Sequence, residues 1–503
     1  MDILIIILLI TVAIILISSR SKYALHMVQL EGYKPENYKK WIKNNEDRAF
    51  SLEKNEDPVK TPLVFTKRAT RLYRANLLVN VVIFIIPTII YINAGNRISV
   101  WIFAIVLALI AFLIYKFQQL IMYISTIIMK PVENKINMGF YTSAQNKIKS
   151  RNDLNVIGIT GSFGKTSTKF IVSTILSQKF NVLTSPESYN TPMGLSKVIN
   201  NDLDANHEVF VAELGARQIG EIREVAELVQ PKIGIITNIG PAHIETFKNI
   251  DNIMKTKYEL IEELPTDGVA VFNYDNEHIK KLADKTFKEK MLYGLEDTDN
   301  LNMYADNIVV SEFGSSFTLK DDEGNSVECT TKLLGKHNIY NILAGACVGK
   351  ILGFSFEEIS KGISDIEPVE HRLNIINPGT GVIIIDDAFN SNPIGTKAAL
   401  DVLSQFKEGK KIIVTPGMIE LGEMEVPANR EFGVNIGKVC DYVILVGKKR
   451  TEPIYEGLME TNFNKENIFV VNNLEEATAQ IGKIAKAKDV VLFENDLPDN
   501  YSE

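Results

Sequence analysis

The sequence predicts an α/β protein with two doubly wound domains, preceded by a group of transmembrane helices. Two observations support this class. From residue 152 onward, short runs of β-branched residues alternate with helical stretches, as in parallel sheets covered by helices. Three long apolar stretches lie within the first 122 residues. With 503 residues, 46% hydrophobic and 23% charged, the chain is not expected to be disordered, and its length allows about three domains.

The charge is divided unevenly along the chain. Residues 1–150 carry 19 Lys and Arg against nine Asp and Glu, whereas residues 151–503 carry 35 against 53. A basic first part beside apolar segments suits an anionic membrane surface, and the acidic remainder argues against nucleic acid as a partner. The three scattered cysteines form no Cys-x-x-Cys pair, which argues against a disulfide framework and a zinc site and favours a reducing compartment.

The apolar stretches predict three transmembrane helices, at about residues 3–18, 77–93 and 100–122. The loop over residues 19–76 carries 13 Lys and Arg, so the positive-inside rule places it, and everything after the third span, in the cytoplasm. The alternative is that these stretches are buried core helices of a soluble domain. We expect a membrane region over residues 1–130 and a connector over 131–151 that begins at Pro131.

Two sets of buried strands follow the connector. The first set is predicted at Val156–Thr160, Val209–Ala212, Ile233–Thr237 and Gly268–Phe272, and the second at Val382–Asp386, Lys411–Thr415, Tyr442–Val446 and Val490–Phe493. Each set predicts a parallel sheet of its own. A boundary near Pro368 gives domains over residues 152–367 and 368–503.

A phosphate-binding loop is predicted directly after the first of these strands. Gly158-Ile-Thr-Gly-Ser-Phe-Gly-Lys-Thr166 precedes a helical pattern over Ser167–Gln178. The strict Walker spacing fails because position 159 is Ile, but the shorter Thr-Gly-x-x-Gly-Lys-Thr form fits. In this context, backbone N–H groups and the helix N-terminus can hold a triphosphate, with the Lys165 ammonium on the phosphates and the Thr166 hydroxyl on Mg²⁺.

Polar residues follow two further strands of the first set. Glu213 ends one strand, His243 comes just after another, and Lys257 lies on the next helical stretch. Ligands of open α/β sheets bind outside the carboxyl ends of the strands, so Glu213 and His243 are candidate Mg²⁺ ligands. The alternative for each is an ordinary surface or satisfied polar residue.

Taken together, these motifs resemble the Mur ligases, the ATP-dependent amide-bond-forming family of peptidoglycan synthesis, and within that family the MurF subfamily. The resemblance covers about residues 152–450. It lies in the segments Thr160–Thr166, Glu213–Ile222, Thr237–His243, Lys255–Leu260, Gly335–Asn341, His371–Arg372, Asp386–Pro393 and Gly417–Gly422. It implies a P-loop central domain and a Rossmann-like C-terminal domain.

The resemblance also implies cofactors and residue roles. ATP and two Mg²⁺ ions are expected, with nucleotide contacts from Thr160, Gly161, Ser162, Gly164, Lys165, Thr166, Ser167, Asn338, Asn341, Arg372 and Asp387. The implied metal ligands are Thr166, Glu213, His243 and a carbamylated Lys257, and the implied catalytic residues are Lys165, Lys257 and His243. Asn390 and Asn392 are expected to contact substrate. The alternative for Lys257 is an unmodified lysine on a solvated helix face.

The implied reaction joins the carboxylate of a cell-envelope precursor to the amine of an amino acid or dipeptide. The carboxylate takes the γ-phosphoryl group of ATP to form an acyl phosphate, the amine displaces phosphate, and ADP is released. The expected site of action is the bacterial cytoplasmic membrane, with a multi-pass chain whose catalytic domains face the cytoplasm. The lipid bilayer and other envelope-synthesis enzymes are expected partners.

Two departures from the MurF pattern bear on the substrates. Membrane segments stand where MurF has an N-terminal domain that helps bind the UDP-linked substrate, and the ending Val490–Tyr501 lacks the usual Lys-Gly-Ser. Three other functions were weighed: a ligase like the membrane-associated poly-γ-glutamate synthases, a catalytically silent nucleotide-binding scaffold, and an ATP-driven transporter. Retention of Lys165, Glu213 and Lys257 argues against the scaffold, and the small number of spans argues against the transporter.

Overall fold

The computed structural model describes residues 2–52, 61–94, 99–186, 189–389 and 391–496. The chain forms two compact units, one from the residues up to Gly139 and one from Phe140 onward. The helices that begin in the first unit are α1 Asp2–Leu30, α2 Pro35–Asn44, α3 Glu46–Phe50, α4 Lys67–Ala94, α5 Val100–Lys116 and α6 Gln118–Lys149. Arg71 of α4 donates two hydrogen bonds of 2.7 Å to Glu133 of α6, and buried apolar side chains of α1, α4 and α5 pack together.

Two helices of the described residues are long and apolar enough to cross a membrane, by length and composition alone: Ile6–Leu30 and Lys67–Asn93. The predicted third span is not one helix. α5 ends at Lys116 and α6 begins at Gln118 with a bend of 75°, so this pair adds a third span only if the two helices count as one broken crossing. Pro131 lies inside α6, which makes most of the predicted connector the continuation of a helix.

The first sheet of the second unit has nine strands in the order β2-β3-β1-β4-β5-β6-β7-β8-β9. The strands are β1 Asn155–Thr160, β2 Val182–Thr184, β3 Val209–Glu213, β4 Ile233–Ile236, β5 Val269–Asn273, β6 Lys290–Gly294, β7 Met303–Ser311, β8 Gly314–Asp321 and β9 Ser326–Thr331. The helices between and after them are α7 Lys165–Leu176, α8 Pro192–Asn201, α9 Glu221–Val229, α10 Ile244–Phe247, α11 Ile250–Glu262, α12 Glu277–Lys285, α13 Lys336–Ile351 and α14 Phe356–Ser364.

The second sheet has six strands in the order β10-β11-β15-β12-β13-β14. They are β10 Asn374–Ile376, β11 Ile383–Asp387, β12 Lys411–Thr415, β13 Tyr442–Val446, β14 Ile468–Val471 and β15 Val490–Glu494. The helices of this part are α15 Pro393–Gln405, α16 Glu425–Val439, α17 Glu452–Glu460 and α18 Leu474–Ile484.

The α/β class and both sets of predicted strands are confirmed, but neither sheet is purely parallel. The run β2 to β7 is parallel, whereas β7, β8 and β9 form an antiparallel extension, and β10 pairs antiparallel with β11. The difference has a physical reason. Fully buried parallel strands read as continuous apolar runs, whereas half-exposed strands such as β7 carry alternating polar residues and give a weaker signal.

Strand order places a crevice at the carboxyl end of β1. The chain crosses from β1 to β2 and β3 on one side and then to β4 on the other, which makes β1 a topological switch point. In the register, Ile159 lies beside Glu213 and Thr160 beside Ile236. Apolar clusters cover both faces, because Ile157 packs with α7 and α13 while Val156 packs with α8 and α9. The ends of β1, β3 and β4 therefore meet at one edge.

Candidate active site

The phosphate loop, Gly158–Thr166, connects β1 to α7 in a conformation that needs glycine. Gly161 and Gly164 have φ values of +157° and +80°, and a Cβ on Gly161 would lie 2.1 Å from Thr237 Oγ1. The Lys165 ammonium donates to the carbonyl of Gly161 at 2.8 Å and of Ser162 at 3.3 Å. Burial lowers the pKa of Lys165. The loop therefore curls around the cation that its sequence predicts.

The segment after β4 clamps this loop from one side. Ser162 N donates to Asn238 O at 2.7 Å, and Ser162 Oγ exchanges hydrogen bonds with the backbone of Gly240. Thr237 Oγ1 donates to Phe163 O at 2.6 Å. The Thr160 side chain is fully buried and its hydroxyl donates to Leu214 O. Thr160 was predicted to contact the nucleotide, and its side chain is engaged within the fold.

Glu213 lies at the centre of a buried polar network. Its Oε2 accepts from Thr166 Oγ1 at 2.9 Å and lies 3.5 Å from Lys169 Nζ, while its Oε1 accepts from Asn190 Nδ2 at 2.9 Å. Glu213 is 1% exposed and Lys169 is fully buried. The structure thus brings two predicted metal ligands, Thr166 and Glu213, into direct contact and supplies a cation beside them.

Lys257 lies on α11, buried to 3% exposure, with its Nζ 6.0 Å from the centre of the Phe247 ring. Burial, helped by the neighbouring charge of Lys165, lowers the pKa of Lys257 to about 7, against an ordinary value of 10.5. Glu213 acts on the same pKa in the opposite direction. Lys257 therefore shares the electrostatic environment of the phosphate loop and does not lie on a solvated helix face.

Asn338 and Asn341 connect α13 to the phosphate loop. Asn341 Nδ2 donates to Asn338 Oδ1 at 3.1 Å, and Asn341 Oδ1 accepts from Thr168 Oγ1 on α7 at 3.1 Å. Asn338 also lines a narrow cleft of about 10 Å³ together with Ser167 and Arg372. Three predicted nucleotide contacts thus surround one cleft beside the start of α7.

Arg372 stacks on Phe389, with its guanidinium carbon 4.2 Å from the ring centre. Burial lowers the pKa of Arg372, while Asp387, Glu213 and Glu494 act in the opposite direction. Burial also raises the pKa of Asp387 to about 6 and raises that of the fully buried Glu494. Arg372 is therefore within electrostatic reach of acids from both sheets.

The remaining predicted residues fall in different places. His243 Nδ1 lies 2.7 Å from Glu420 Oε2, so the structure pairs His243 with a carboxylate on the loop after β12. Asn392 caps α15, where its Oδ1 accepts from the N–H groups of Ile394 and Gly395. Asn390 lies outside the described residues.

Comparison with known proteins matches two parts of the chain. The model of the Mur ligase middle domain matches residues 159–349, and that of the Mur ligase glutamate ligase domain matches residues 371–494. A UDP-N-acetylmuramoyl-tripeptide–D-alanyl-D-alanine ligase of Bacillus subtilis is 30% identical over 340 residues, which are 67% of this chain and 72% of the relative. The chain belongs to the Mur ligase family.

Other relatives agree with this Mur ligase assignment. The ligase of the same name from Escherichia coli is 31% identical over 58% of this chain and 65% of its own. Crystal structures of MurF from Acinetobacter baumannii and of MurF from Thermotoga maritima with ADP have TM-scores of 0.65 and 0.64 at 25% and 26% identity. They cover 73% and 72% of this chain, and 78% and 80% of their own. This chain is a MurF-like, ATP-dependent amide-bond ligase.

The localisation predicted from the sequence is wrong. Three separate spans were expected, whereas the described residues contain two helices that qualify and a third stretch that breaks at Phe117. The relatives that match are Mur ligases named for a UDP-linked precursor. These findings do not support a multi-pass protein of the bacterial cytoplasmic membrane.

The residues at this Mur ligase site fit ATP and Mg²⁺. The described residues contain no group of three or more His, Cys, Asp or Glu that could hold a metal unaided. However, Mg²⁺ typically takes one or two protein oxygens and completes its shell with phosphates and water. The Thr166 hydroxyl and the Glu213 carboxylate are such oxygens. The Gly161 and Gly164 backbone packs against Thr237 and Asn341 more closely than a Cβ would allow, which fixes the loop beside them.

Three residues of the site were missed by sequence reasoning. Lys169 follows Lys165 by four positions on the same helix face, a signal that could have revealed it. Glu420 belongs to the Gly417–Gly422 segment, which the sequence singled out without giving that residue a role. Asn190 lies on a loop whose sequence carries no recognisable motif, and only the fold brings it to Glu213.

Proposed function

We propose that this ligase joins the carboxylate of a muramoyl-peptide type of precursor to the amine of an amino acid or dipeptide, using ATP. The observation that carries the proposal is the preformed edge at β1, β3 and β4. There the phosphate loop, the Thr166–Glu213 pair and the cleft of Ser167, Asn338 and Arg372 adjoin one another. The names of the relatives support a UDP-linked tripeptide and D-alanyl-D-alanine as the first substrates to test.

The residues of the loop bind and orient the phosphates. Backbone N–H groups at the start of α7 and the Lys165 ammonium hold anionic oxygens, and the helix dipole favours negative charge there. Thr166 and Glu213 would hold one Mg²⁺, which neutralises charge on the transferred phosphoryl group. Lys169, 3.5 Å from Glu213 Oε2, holds the carboxylate in place. Catalysis of phosphoryl transfer is mostly such positioning and charge neutralisation.

Carbamylation of Lys257 is part of the proposal. Addition of CO₂ to a lysine requires its neutral amine, and a pKa lowered to about 7 leaves a large fraction neutral near pH 7. The product is an anionic ligand in place of a cation. That exchange would relieve the repulsion from Lys165 and would provide, with His243, ligands for a second Mg²⁺.

Arg372 carries the contribution of the C-terminal part. We propose that its guanidinium contacts the nucleotide across the cleft, since it lines the same cleft as Ser167 and Asn338. Asp387 orients it from the end of β11. The domain limits at 131–151, 152–367 and 368–503, and other envelope-synthesis enzymes as partners, belong to the same proposal.

The test is phosphate release from ATP by the full chain, with product analysis by mass spectrometry. One arm supplies UDP-muramoyl-tripeptide and D-alanyl-D-alanine, and a second supplies free amino acids including glutamate. We expect a new amide in the first arm. Because Lys165 is the loop cation, Lys165→Ala should lower turnover by on the order of 10²–10³-fold. A product only in the glutamate arm would support the poly-γ-glutamate alternative, and no turnover with any pair would contradict the proposal.

A further inference from the structure

Glu420 makes a contact that none of the roles above explains. It lies on the loop after β12, in the part matched by the C-terminal domain model, and His243 lies in the part matched by the middle domain model. Glu420 Oε2 is 2.7 Å from His243 Nδ1, and Glu420 Oε1 is 3.5 Å from Arg217 Nη1. One carboxylate thus connects the loops that follow β3, β4 and β12.

The backbone at both ends of this contact is unusual. His243 has φ +51° and Glu420 has φ +63°, the left-handed region that side chains other than glycine rarely occupy. Such conformations are unfavourable for residues other than glycine and persist where the surrounding structure enforces them. Two of them facing each other across a hydrogen bond distinguish this pair from an ordinary surface ion pair.

The loop that carries Glu420 is held firmly. Asn429 exchanges two hydrogen bonds with the backbone of Met418, at 2.9 and 3.0 Å, and Asn495 Nδ2 donates to Gly417 O at 2.7 Å. Met418 and Leu421, on either side of Glu420, are buried. The carboxylate is therefore presented from a fixed position.

The loop that carries His243 is connected to the phosphate loop and to Lys257. Gly240, three residues earlier, holds Ser162. His243 precedes α10, whose Phe247 is buried with its ring 6.0 Å from Lys257 Nζ. A change in the orientation of His243 would therefore affect both the phosphate loop and the surroundings of Lys257.

We propose that Glu420 is a positioning residue of the ligase, which orients the His243 imidazole from the second sheet and so connects the second α/β part to the metal site of the first. A carboxylate that accepts from Nδ1–H leaves Nε2 as the ring nitrogen available to bind a metal ion. The inference rests on the proposed use of ATP and Mg²⁺. It assigns a role to a residue that the motifs left without one.

The test compares the full chain with Glu420→Gln and Glu420→Ala, and uses Glu423→Gln as a matched control. Glu423 is exposed on the same segment. The probe is Mn²⁺, whose binding is measured by electron paramagnetic resonance with a non-hydrolysable ATP analogue. Loss of such an outer carboxylate typically weakens metal binding 10–100-fold. We expect about that loss for Ala, a smaller one for Gln, and none for the control.

A second readout needs no metal. The ¹⁵N shifts of labelled histidine report the ring tautomer, and His243→Gln assigns its signals among the six histidines. We expect the Nδ1–H tautomer in the unaltered chain and a mixture in Glu420→Ala. An unchanged tautomer, or unchanged Mn²⁺ affinity in a folded Glu420→Ala, overturns the inference. Absence of nucleotide-dependent Mn²⁺ binding in the unaltered chain instead overturns the proposed function, while the tautomer still decides whether Glu420 orients the ring.

Discussion

The carboxyl edges of the two sheets differ in how their buried acidic side chains are compensated. At the first edge, Glu213 is matched by Lys169, Thr166 and Asn190, so its charge is compensated within the protein. At the second edge, Asp387 and Glu494 lie close together and burial raises the pKa of both, although Arg372 acts against this. The first edge pairs its buried acid with a cation, whereas at the second edge burial raises the pKa of Asp387 to about 6 and that of Glu494 well above its ordinary value.

The largest stability effect is expected at the compensated edge. Lys169→Met should lower the free energy of unfolding by about 3–5 kcal/mol, because it leaves the Glu213 carboxylate buried without its cation. Urea unfolding measures this. The control is Lys179→Met, which removes the exposed ion pair with Glu358 and should cost less than about 1 kcal/mol. Equal losses in the two variants would mean that the contact between Lys169 and Glu213 stabilises the fold no more than a surface ion pair.

The pH dependence of stability distinguishes Lys257 from the other lysine of its helix. A folded pKa of about 7 lies below the ordinary 10.5, so the unfolded chain binds more protons between these values and stability rises with pH. Lys257→Met removes that dependence. Its stability relative to the unaltered chain should be highest at pH 7 and should fall by about 2 kcal/mol by pH 9. Urea midpoints measured without CO₂ or nucleotide give the comparison.

The matched control for this experiment is Lys255→Met. Lys255 is exposed on the same helix, two residues away. Its stability difference from the unaltered chain should stay flat over the same pH range. A flat difference for Lys257→Met as well would show that the Lys257 amine keeps its ordinary affinity for protons, and it would remove the physical basis for carbamylation.

The sequence predicts the parts of this structure whose signals are local, and it does not predict the parts that depend on packing. The phosphate loop, Glu213 and eight of the fifteen strands described in the two sheets were predicted because their signals are local: a glycine spacing, a strand end, an unbroken apolar run. The partners Asn190 and Glu420 were not, because they come from loops brought in only by the packed sheets. The antiparallel strands β7–β9 escaped because their half-exposed pattern is weak.

The helix break at Phe117 is another feature that the sequence did not predict. Residues 100–122 are apolar apart from Lys116, Gln118 and Gln119, so a single span was expected. The helix nevertheless ends there, with φ −100° and ψ +22° at Phe117. Hydropathy measures how apolar a segment is, and it carries no information about where the helix axis turns.

The smallest effect is expected at the second edge. A folded pKa of about 6 for Asp387, above the ordinary 3.8, means that the folded chain binds more protons between these values, so stability falls as pH rises through this window. Asp387→Asn mimics the protonated acid. Relative to the unaltered chain, it should gain on the order of 1 kcal/mol between pH 4 and pH 7, since Asp387 and Glu494 titrate together and share the change.

Urea midpoints of both chains at pH 4, 5.5 and 7 measure this gain, with the exposed Asp401→Asn on α15 as the control that should show none. If Asp387→Asn instead lost stability relative to the unaltered chain between pH 4 and pH 7, Arg372 would hold Asp387 ionised over this whole range. The second edge would then resemble the first, with a charge fully compensated before any nucleotide binds, and Arg372 would be committed to Asp387 rather than free to engage the phosphates across the cleft.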